Sequence, residues 1–167
     1  MTDFARLMND YFVKYLAGQK GSGSNTMKTY RDTFVQLLEF MDEKKHIRAD
    51  CIEVDSFSYD IINEFLEYLE KEKGVSISTR NNRLAAIRSF FKYTGYHEPK
   101  YLNISTSIRE ISKKKTEGRQ MNYLSVNAME HFLNSFDKTD HKELRCFCIV
   151  LLLYESGARV TELCNVR

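Results

Sequence analysis

The sequence predicts an all-α protein, and three observations support this prediction. Apolar residues recur at the three- and four-residue spacing of a helix face in several segments. Alternating apolar and polar residues, which would indicate strands, are scarce. The 167 residues include one proline and seven glycines, and most of the glycines stand between the periodic segments. We therefore expect amphipathic helices with short connections, packed as a bundle.

The first two predicted helices are separated by a break rich in glycine and serine. An apolar stripe over residues 4–16 follows the i, i+3, i+4, i+7 pattern of one helix face. The break at residues 18–24 interrupts this pattern. Ser24 or Asn25 is expected to cap the second helix, whose buried face covers residues 30–41.

Two further helices complete the predicted N-terminal bundle. The third is expected to end at Gly74, because glycine readily adopts the left-handed conformation that often closes a helix. The fourth is expected to start at a cap formed by Ser78 or Thr79 and to end at Gly95. No single helix could bury its own apolar stripe, so we place a four-helix bundle over residues 1–97.

A basic linker and a second unit are expected after the bundle. The linker covers residues 98–120, which hold the only proline and six basic residues against three acidic ones. In the second unit, residues 121–167, Ser125 caps a short helix, and an apolar run at residues 147–154 indicates a buried helix that ends at Gly157. This unit has only about 47 residues, so we expect the beginning of a domain rather than a whole one.

The charge distribution favours an anionic partner, although the net charge of +2 does not by itself indicate one. Residues 75–97 hold four basic residues and no acidic one, and the adjoining segment 98–120 is also basic. Two adjacent basic segments indicate one basic side of the molecule, with ordinary solvated surface charge as the alternative. No signal peptide or membrane span is expected, so we expect a cytoplasmic protein.

The four cysteines are expected to be reduced, buried thiols. Cys51, Cys146, Cys148 and Cys164 form no C-x-x-C pair, and no histidine lies at a zinc-finger spacing from them. Three of them lie in or beside apolar helical patterns, where a thiol behaves as a small apolar side chain. We therefore expect no metal site and no cofactor.

The most specific pattern is Ser-Gly-Ala-Arg-Val-Thr-Glu-Leu at residues 156–163. Arg159 opens a short helical segment, and Glu162 lies three residues further on the same helix face, where it can hold the guanidinium. An arginine between two buried helices is costly unless an anion meets it. The alternative is a helix-start arginine that pairs with Glu162 and does nothing else.

Residues 157–167, Gly-Ala-Arg-Val-Thr-Glu-Leu-Cys-Asn-Val-Arg, closely resemble the first arginine box of the tyrosine recombinases, also called the phage integrase family. Tyr-Leu-Ser at residues 123–125 resembles the start of that family's catalytic domain. Segments 25–40 and 78–93 resemble its core-binding, SAM-like domain. The resemblance covers essentially the whole chain. It implies a SAM-like DNA-binding domain, a linker and the first helices of a mainly α catalytic domain.

The resemblance also implies site-specific DNA strand exchange through a 3′-phosphotyrosyl intermediate. The implied partners are a double-stranded recombination site and other recombinase protomers, without a cofactor. The resemblance implies that Arg159, supported by Glu162, is the first catalytic arginine, because a planar guanidinium can bind two oxygens of the scissile phosphate.

The other catalytic groups of the family follow the first arginine box: a lysine, a His-x-x-Arg box, a further His or Trp, and the tyrosine nucleophile. None of the 10 tyrosines in the sequence follows Arg159. His141 and Arg145 differ from the His-x-x-Arg box in both spacing and order. We therefore expect these 167 residues to bind DNA without cleaving it.

DNA contacts are expected from the fourth helix, the start of the second helix and the linker. Asn81, Arg88 and Lys92 share a narrow stripe of the fourth helix, and Arg80 and Arg83 lie toward its N-terminal end. The start of the second helix offers hydroxyls and free backbone N–H groups, and the linker lysines would cross the duplex backbone between two clamping domains. The expected DNA-contacting residues are Thr26, Lys28, Thr29, Arg80, Asn81, Arg83, Arg88, Lys92, Lys113, Lys114 and Lys115.

Two other classes of function stay open at this point. One is a stand-alone helical DNA-binding or regulatory protein, such as an excision-type accessory factor or a naturally truncated integrase. The other is a helical protein–protein interaction module, in which the bundle would pair through Phe4 or Tyr11. Failure to bind any duplex at low salt would favour the interaction module.

Overall fold

The computed structural model describes residues 1–19, 23–116, 118 and 122–165. All regular structure in these residues is helical, which confirms the all-α prediction. The chain divides into two compact units, residues 1–117 and residues 118–167.

The first unit contains five α-helices, with α4 at its centre. The helices are α1 (Asp3–Asp10), which continues as a π-helical segment (Tyr11–Gln19), α2 (Ser24–Lys45), α3 (Tyr59–Lys71), α4 (Ile77–His97) and α5 (Leu102–Glu110). Short 3-10 turns lie at Ala49–Cys51, Val54–Ser56 and Pro99–Tyr101. Because α2, α3 and α5 all pack against α4, the exposed part of α4 is restricted to the strip between these neighbours.

Aromatic side chains form the centre of the core. The ring of Phe90 in α4 lies with its centroid 5.3–5.5 Å from the rings of Phe4, Tyr11, Phe34 and Phe91. These contacts join α1, the π-helical segment and α2 to α4, and burial of each such side chain contributes about 1.5–3 kcal/mol. Phe4 and Tyr11 are only 3% and 0% exposed, so the prediction that the bundle could pair with a partner through them is wrong.

Two predicted helix caps lie one or more residues away from the observed ones. The residue that precedes α2 is Gly23, which has no side chain to act as a cap. The cap of α4 is Ser76, whose hydroxyl oxygen accepts a hydrogen bond from the Thr79 backbone N–H at 3.2 Å. Ser76 has the extended backbone that a cap requires, whereas Ser78 already lies inside the helix.

Gly95 lies inside α4 and does not end it, so that prediction is wrong. The helix continues to His97, because Gly95 does not adopt the positive φ of a helix stop. Gly95 instead allows the close packing of α5 against α4. A Cβ atom at position 95 would lie 2.7 Å from Ser105 Oγ and 2.8 Å from Ser105 Cβ. By contrast, Gly74 after α3 and Gly157 in the second unit adopt positive φ angles of 63° and 62°, which confirms them as helix stops.

Much of the segment predicted as a linker belongs to the first unit. Tyr101, Ser105, Ile108 and Ile111 are all buried, with relative exposures of 4%, 1%, 0% and 1%. Their spacing of three and four residues is that of one helix face, which packs against α4. The basic charge of residues 98–120 concealed this short stripe. Residues 99–110 are helical, and regular structure is absent from the described residues 98, 111–116 and 118.

The first helix is joined to the turn before α5 by a cluster of polar contacts. Asp3 Oδ2 accepts hydrogen bonds from Lys100 Nζ at 2.7 Å and from the Tyr101 hydroxyl at 2.8 Å. Arg6 Nη2 donates to Glu98 Oε1 at 2.7 Å. The hydrogen bond from Lys100, followed by that from Tyr101, holds the pKa of Asp3 below its ordinary value of 3.8.

The second unit contains α6 (Val126–Asn134), α7 (His141–Ser156) and α8 (Val160–Leu163). The Ser125 hydroxyl accepts a hydrogen bond from the Ala128 backbone N–H at 3.2 Å, which confirms the predicted cap of α6. Phe136 contacts the rings of Phe132 and Phe147, with centroids 5.2 and 6.2 Å apart, and so joins α6 to α7.

No side chain described in the second unit is buried, so the prediction of a buried helix at residues 147–154 is wrong. Ile149, Leu152 and Tyr154 of α7 are 38%, 48% and 48% exposed. The other two described helices of this unit, α6 and α8, are too short to cover the apolar surface of α7 on all sides. Over the described ranges, no helix combines the length and the apolar character needed to cross a membrane.

The four cysteines are unpaired and exposed, so their predicted burial is wrong. Cys146, Cys148 and Cys164 belong to the second unit, where even the apolar face of α7 is only partly covered. Cys51 lies at the end of a 3-10 turn on the surface of the first unit.

Candidate nucleic-acid interface

A groove of about 470 Å³ opens on one side of the first unit, beside α4. We call it the basic groove. It is lined by residues from the π-helical segment, α2, α4, α5 and the segment after α5. The lining residues are Tyr15, Tyr30, Ala85, Arg88, Ser89, Lys92, Arg109 and Lys113.

The floor of the basic groove is one face of α4. Ala85, Arg88, Ser89 and Lys92 are spaced three or four residues apart and therefore lie on the same side of the helix. Ala85 and Ser89 are small, so they leave the depression between the two long cationic side chains. Of the predicted stripe of Asn81, Arg88 and Lys92, the last two line the groove and Asn81 does not.

Among the residues that the structure describes, four cationic side chains and no carboxylate line the basic groove. Arg88 Nη2 donates to the backbone carbonyl of Arg109 at the C-terminal end of α5, which orients the Arg88 guanidinium. Lys92, Arg109 and Lys113 are exposed, and none of them belongs to an ion pair within the described part of the chain. Such a concentration of positive charge is suited to bind phosphate groups.

Five lining residues were not among the predicted contacts, and three of them, Tyr15, Tyr30 and Arg109, have side chains that can bind a phosphate. Arg109 was counted in the basic linker, but α5 places it beside Arg88. Tyr15 and Tyr30 were assigned to buried apolar stripes, yet both are only half-buried and reach the groove. Their hydroxyl groups can donate hydrogen bonds to phosphate oxygens. For Tyr15 and Tyr30, the only sequence signal of a surface position was an aromatic residue at the edge of an apolar stripe.

Arg80 lies inside the first unit, away from the basic groove. Its side chain is 6% exposed, and Nε lies 3.0 Å from Glu70 Oε1 as an ion pair not aligned for a hydrogen bond. Arg80 Nη1 donates to the backbone carbonyl of Ser112 at 3.3 Å. The guanidinium is therefore engaged within the protein, and this placement does not favour a DNA contact.

Asn81 and Lys114 bind each other. The Asn81 side-chain amide donates to the Lys114 backbone carbonyl at 2.8 Å and accepts from the Lys114 backbone N–H at 3.1 Å. The ammonium group of Lys114 lies 2.8 Å from Glu70 Oε2. Neither side chain is directed into the basic groove.

Arg83 connects α4 with the first turns of α2. Its Nη1 donates to the Thr29 backbone carbonyl at 2.9 Å and to the Thr33 hydroxyl oxygen at 3.1 Å. The side chain is half-buried, so its position serves the packing of the two helices.

The other predicted contacts in the first unit lie at the surface. Thr26, Lys28 and Thr29 are exposed in the first turns of α2, and the Thr29 hydroxyl donates to the Asn25 backbone carbonyl at 2.9 Å. Gly23 before α2 offers no side-chain cap, and its carbonyl accepts hydrogen bonds from the backbone N–H groups of Thr26 and Met27 at 3.0 and 3.1 Å. Lys115 is exposed in the segment after α5.

In the second unit, Glu162 holds Arg159 in two ways. Glu162 Oε2 accepts from the Arg159 backbone N–H at 2.8 Å, and Oε1 lies 3.0 Å from Arg159 Nη1. The side chains are 83% and 55% exposed, so Arg159 is a surface residue and not the buried arginine that the sequence suggested. Its guanidinium is oriented at the start of α8 and accessible to an anion.

The bundle and its basic groove define a helical domain suited to bind nucleic acid. The phage integrase N-terminal SAM-like domain family matches residues 10–95, which extend from the end of α1 into the last turn of α4. Because this match covers half of the chain, the protein belongs to that family.

Similar curated proteins are integrases and recombinases. The "Putative integrase/recombinase y4rC" of Sinorhizobium fredii is 27% identical over 98% of this chain and 49% of its own length. Tyrosine recombinase XerC of Staphylococcus aureus is 26% identical over 96% of this chain and 50% of its own length. Tyrosine recombinase XerD of Vibrio vulnificus is 29% identical over 99% of this chain and 50% of its own length. The chain thus spans about half the length of these relatives, and no solved structure matches it significantly.

Proposed function

We propose that this chain is the DNA-binding part of a site-specific tyrosine recombinase, and that the basic groove binds the phosphate backbone of a duplex. The main support is the set of four cations that α4, α5 and the following segment bring to one groove. The family and the named relatives are integrases and recombinases, and such proteins would need to bind a DNA duplex.

The start of α2 extends the proposed DNA surface. The positive end of the helix dipole favours a phosphate, and Thr26 and Lys28 add an exposed hydroxyl and an exposed cation. Tyr30 of the same helix lines the basic groove, which links the two parts of the surface. Phosphate contacts of this kind position a protein on a duplex without reading its sequence.

Arg159 is the proposed first catalytic arginine, with Glu162 as its support. A guanidinium can bind two non-bridging oxygens of a scissile phosphate and stabilise the charge that develops on them. The proposed nucleophile of the reaction is a tyrosine, and none of the 10 tyrosines follows Arg159 in these residues. We therefore propose that the 167 residues bind DNA without cleaving it, and that other recombinase protomers are partners in strand exchange.

The salt dependence of duplex binding tests the proposed function. Fluorescence anisotropy with a labelled duplex would be recorded over a series of salt concentrations. Four neutralised phosphates predict a slope of log K against log salt of about −3.5, because each releases about 0.9 counterion. A slope near zero, or no binding at low salt, would reject the DNA interface and favour a protein-interaction module.

A nicked suicide duplex tests the absence of cleavage. The expected result is no covalent protein–DNA adduct after denaturing electrophoresis. A full-length tyrosine recombinase with its own recombination site is the positive control. An adduct formed by the 167-residue polypeptide would show that a nucleophile other than a tyrosine beyond Arg159 is at work.

A further inference from the structure

The geometry points to Asn81 as a positioning residue that fastens the segment after α5 to α4 and so holds Lys113 in the basic groove. This inference rests on the proposed function of the groove, because it concerns how one of its cations is presented to a phosphate. It assigns to Asn81 a role different from direct contact with DNA.

The contact between Asn81 and Lys114 fixes both position and orientation. The side-chain nitrogen donates to the Lys114 backbone C=O at 2.8 Å, and the side-chain oxygen accepts from the Lys114 backbone N–H at 3.1 Å and from Arg80 Nη1 at 3.3 Å. Two bonds to one residue prevent the segment from rotating about a single attachment point. With both groups of the amide engaged, Asn81 has less capacity to read a base edge.

Two further contacts hold the same segment. Arg80 Nη1 donates to the Ser112 backbone carbonyl at 3.3 Å. Glu70 of α3 receives both cations, because its Oε1 lies 3.0 Å from Arg80 Nε and its Oε2 lies 2.8 Å from Lys114 Nζ. The segment is therefore attached at Ser112 and at Lys114, on both sides of Lys113.

The three consecutive lysines have three different environments as a result. The charge of Lys114 is directed to Glu70, whereas the side chain of Lys113 lines the basic groove beside Arg88 and Arg109. Lys115 is exposed and lies beyond the attached residues. A flexible basic linker would not separate the lysines in this way, because every lysine would sample many positions.

Limited trypsin digestion without DNA tests the attachment itself. Asn81→Ala should be cleaved after Lys113 and Lys114 several-fold faster than the wild type, relative to cleavage after Lys115 as the internal reference. The matched control is Asn82→Ala, because Asn82 is the exposed neighbour and makes no side-chain hydrogen bond among the described residues. An unchanged cleavage pattern in Asn81→Ala would overturn the inference.

A second variant, Asn81→Asp, controls for the case in which Asn81→Ala is cleaved faster only because it is unfolded. Asn81→Asp conserves the shape and the oxygen that accepts from the Lys114 N–H, but it replaces the donor by an oxygen that faces the Lys114 carbonyl. Faster cleavage after Lys113 is expected here as well, with the same cooperative thermal unfolding as the wild type. Protection that persists in both variants would also overturn the inference.

A double-mutant cycle tests the consequence for DNA binding. Asn81→Ala and Lys113→Ala should each weaken duplex binding several-fold and reduce the salt slope by about 0.9, the equivalent of one phosphate. The double variant should bind no more weakly than either single variant, because both changes remove the same contact. Additive losses together with wild-type trypsin protection would identify Asn81 as a direct DNA contact instead.

The two readouts separate failure of this inference from failure of the proposed function. If no variant, including the wild type, binds duplex DNA, the proposed function fails while the trypsin experiment still decides the attachment. If the wild type binds with a steep salt slope and the cycle is additive, the proposed function stands and the positioning role of Asn81 fails.

Discussion

Gly95 of α4 and Ser105 of α5 pack so closely that a Cβ atom at position 95 would lie 2.7 Å from the serine hydroxyl oxygen. This contact determines how near α5 approaches α4. The last turn of α5 carries Arg109, whose backbone carbonyl accepts a hydrogen bond from Arg88. A packing contact remote from the basic groove therefore contributes to the arrangement of two of its cations.

Gly95→Ala should destabilise the first unit by about 1–3 kcal/mol, because the added methyl group forces α4 and α5 apart. The better helix propensity of alanine, about 1 kcal/mol, offsets only part of this loss. Urea denaturation followed by circular dichroism measures the change. Ser105→Gly in the Gly95→Ala background should restore stability, whereas Ser105→Ala should not, because its Cβ atom remains 2.8 Å away. Equal effects of the two second-site changes would contradict the proposed clash.

Arg88→Ala should weaken duplex binding and reduce the magnitude of the salt slope by about 0.9, because one phosphate contact is lost. The measurement is the anisotropy titration at several salt concentrations. Arg48→Ala is the control, since Arg48 is an exposed arginine that pairs with Asp50 and does not line the basic groove. An equal loss in both variants would indicate a general charge effect and not a contact in the groove.

Arg80→Ala should lower stability and leave the salt slope nearly unchanged, because Asn81 still binds Lys114 and holds Lys113 in the basic groove. Removal of Arg80 leaves Glu70 with Lys114 as its remaining cation and costs about 1–3 kcal/mol in the free energy of unfolding. Urea denaturation and DNA titration on the same preparation would distinguish the two effects. A shallower salt slope with unchanged stability would return Arg80 to the set of DNA contacts.

Asp3 should make the stability of the first unit depend on pH in the acidic range. Its pKa in the folded state lies below the ordinary value of 3.8, chiefly because of the hydrogen bond from Lys100. The stabilisation is therefore fully present above the unfolded pKa and is lost as the pH falls through the folded pKa. Asp3→Asn should be less stable than the wild type near neutral pH, and the difference should shrink at about pH 3. Thermal unfolding over a pH series measures this, and a difference that stays constant would contradict the assignment.

Local features of the chain were predictable because they depend on residues close in sequence. Helical spacing predicted the stripes of α1 to α4, and the left-handed glycines at positions 74 and 157 followed from backbone sterics. The contact between Arg159 and Glu162 followed from a separation of three residues within one turn of helix.

The buried residues between 101 and 111, which the sequence assigned to a linker, could not be predicted from local spacing. Ser105 and Gly95 have no apolar side chains, so the hydropathy pattern did not predict the buried stripe of α5 or its close approach to α4. Basic residues between the buried positions further concealed the helix. Ser105 is buried because α5 packs against α4, and α4 is a separate segment of the chain.

The sequence by itself determined the helical class, the helix stops at Gly74 and Gly157, the presence of basic residues on α4 and the pairing of Arg159 with Glu162. Only the tertiary structure decided which cations are available to a phosphate. Arg80 and Arg88 lie on the same helix, but Glu70 of α3 engages the first and α5 presents the second to the basic groove. The reason is physical: the availability of a charged side chain depends on the groups that other segments bring within a few ångströms, and local spacing does not specify those groups.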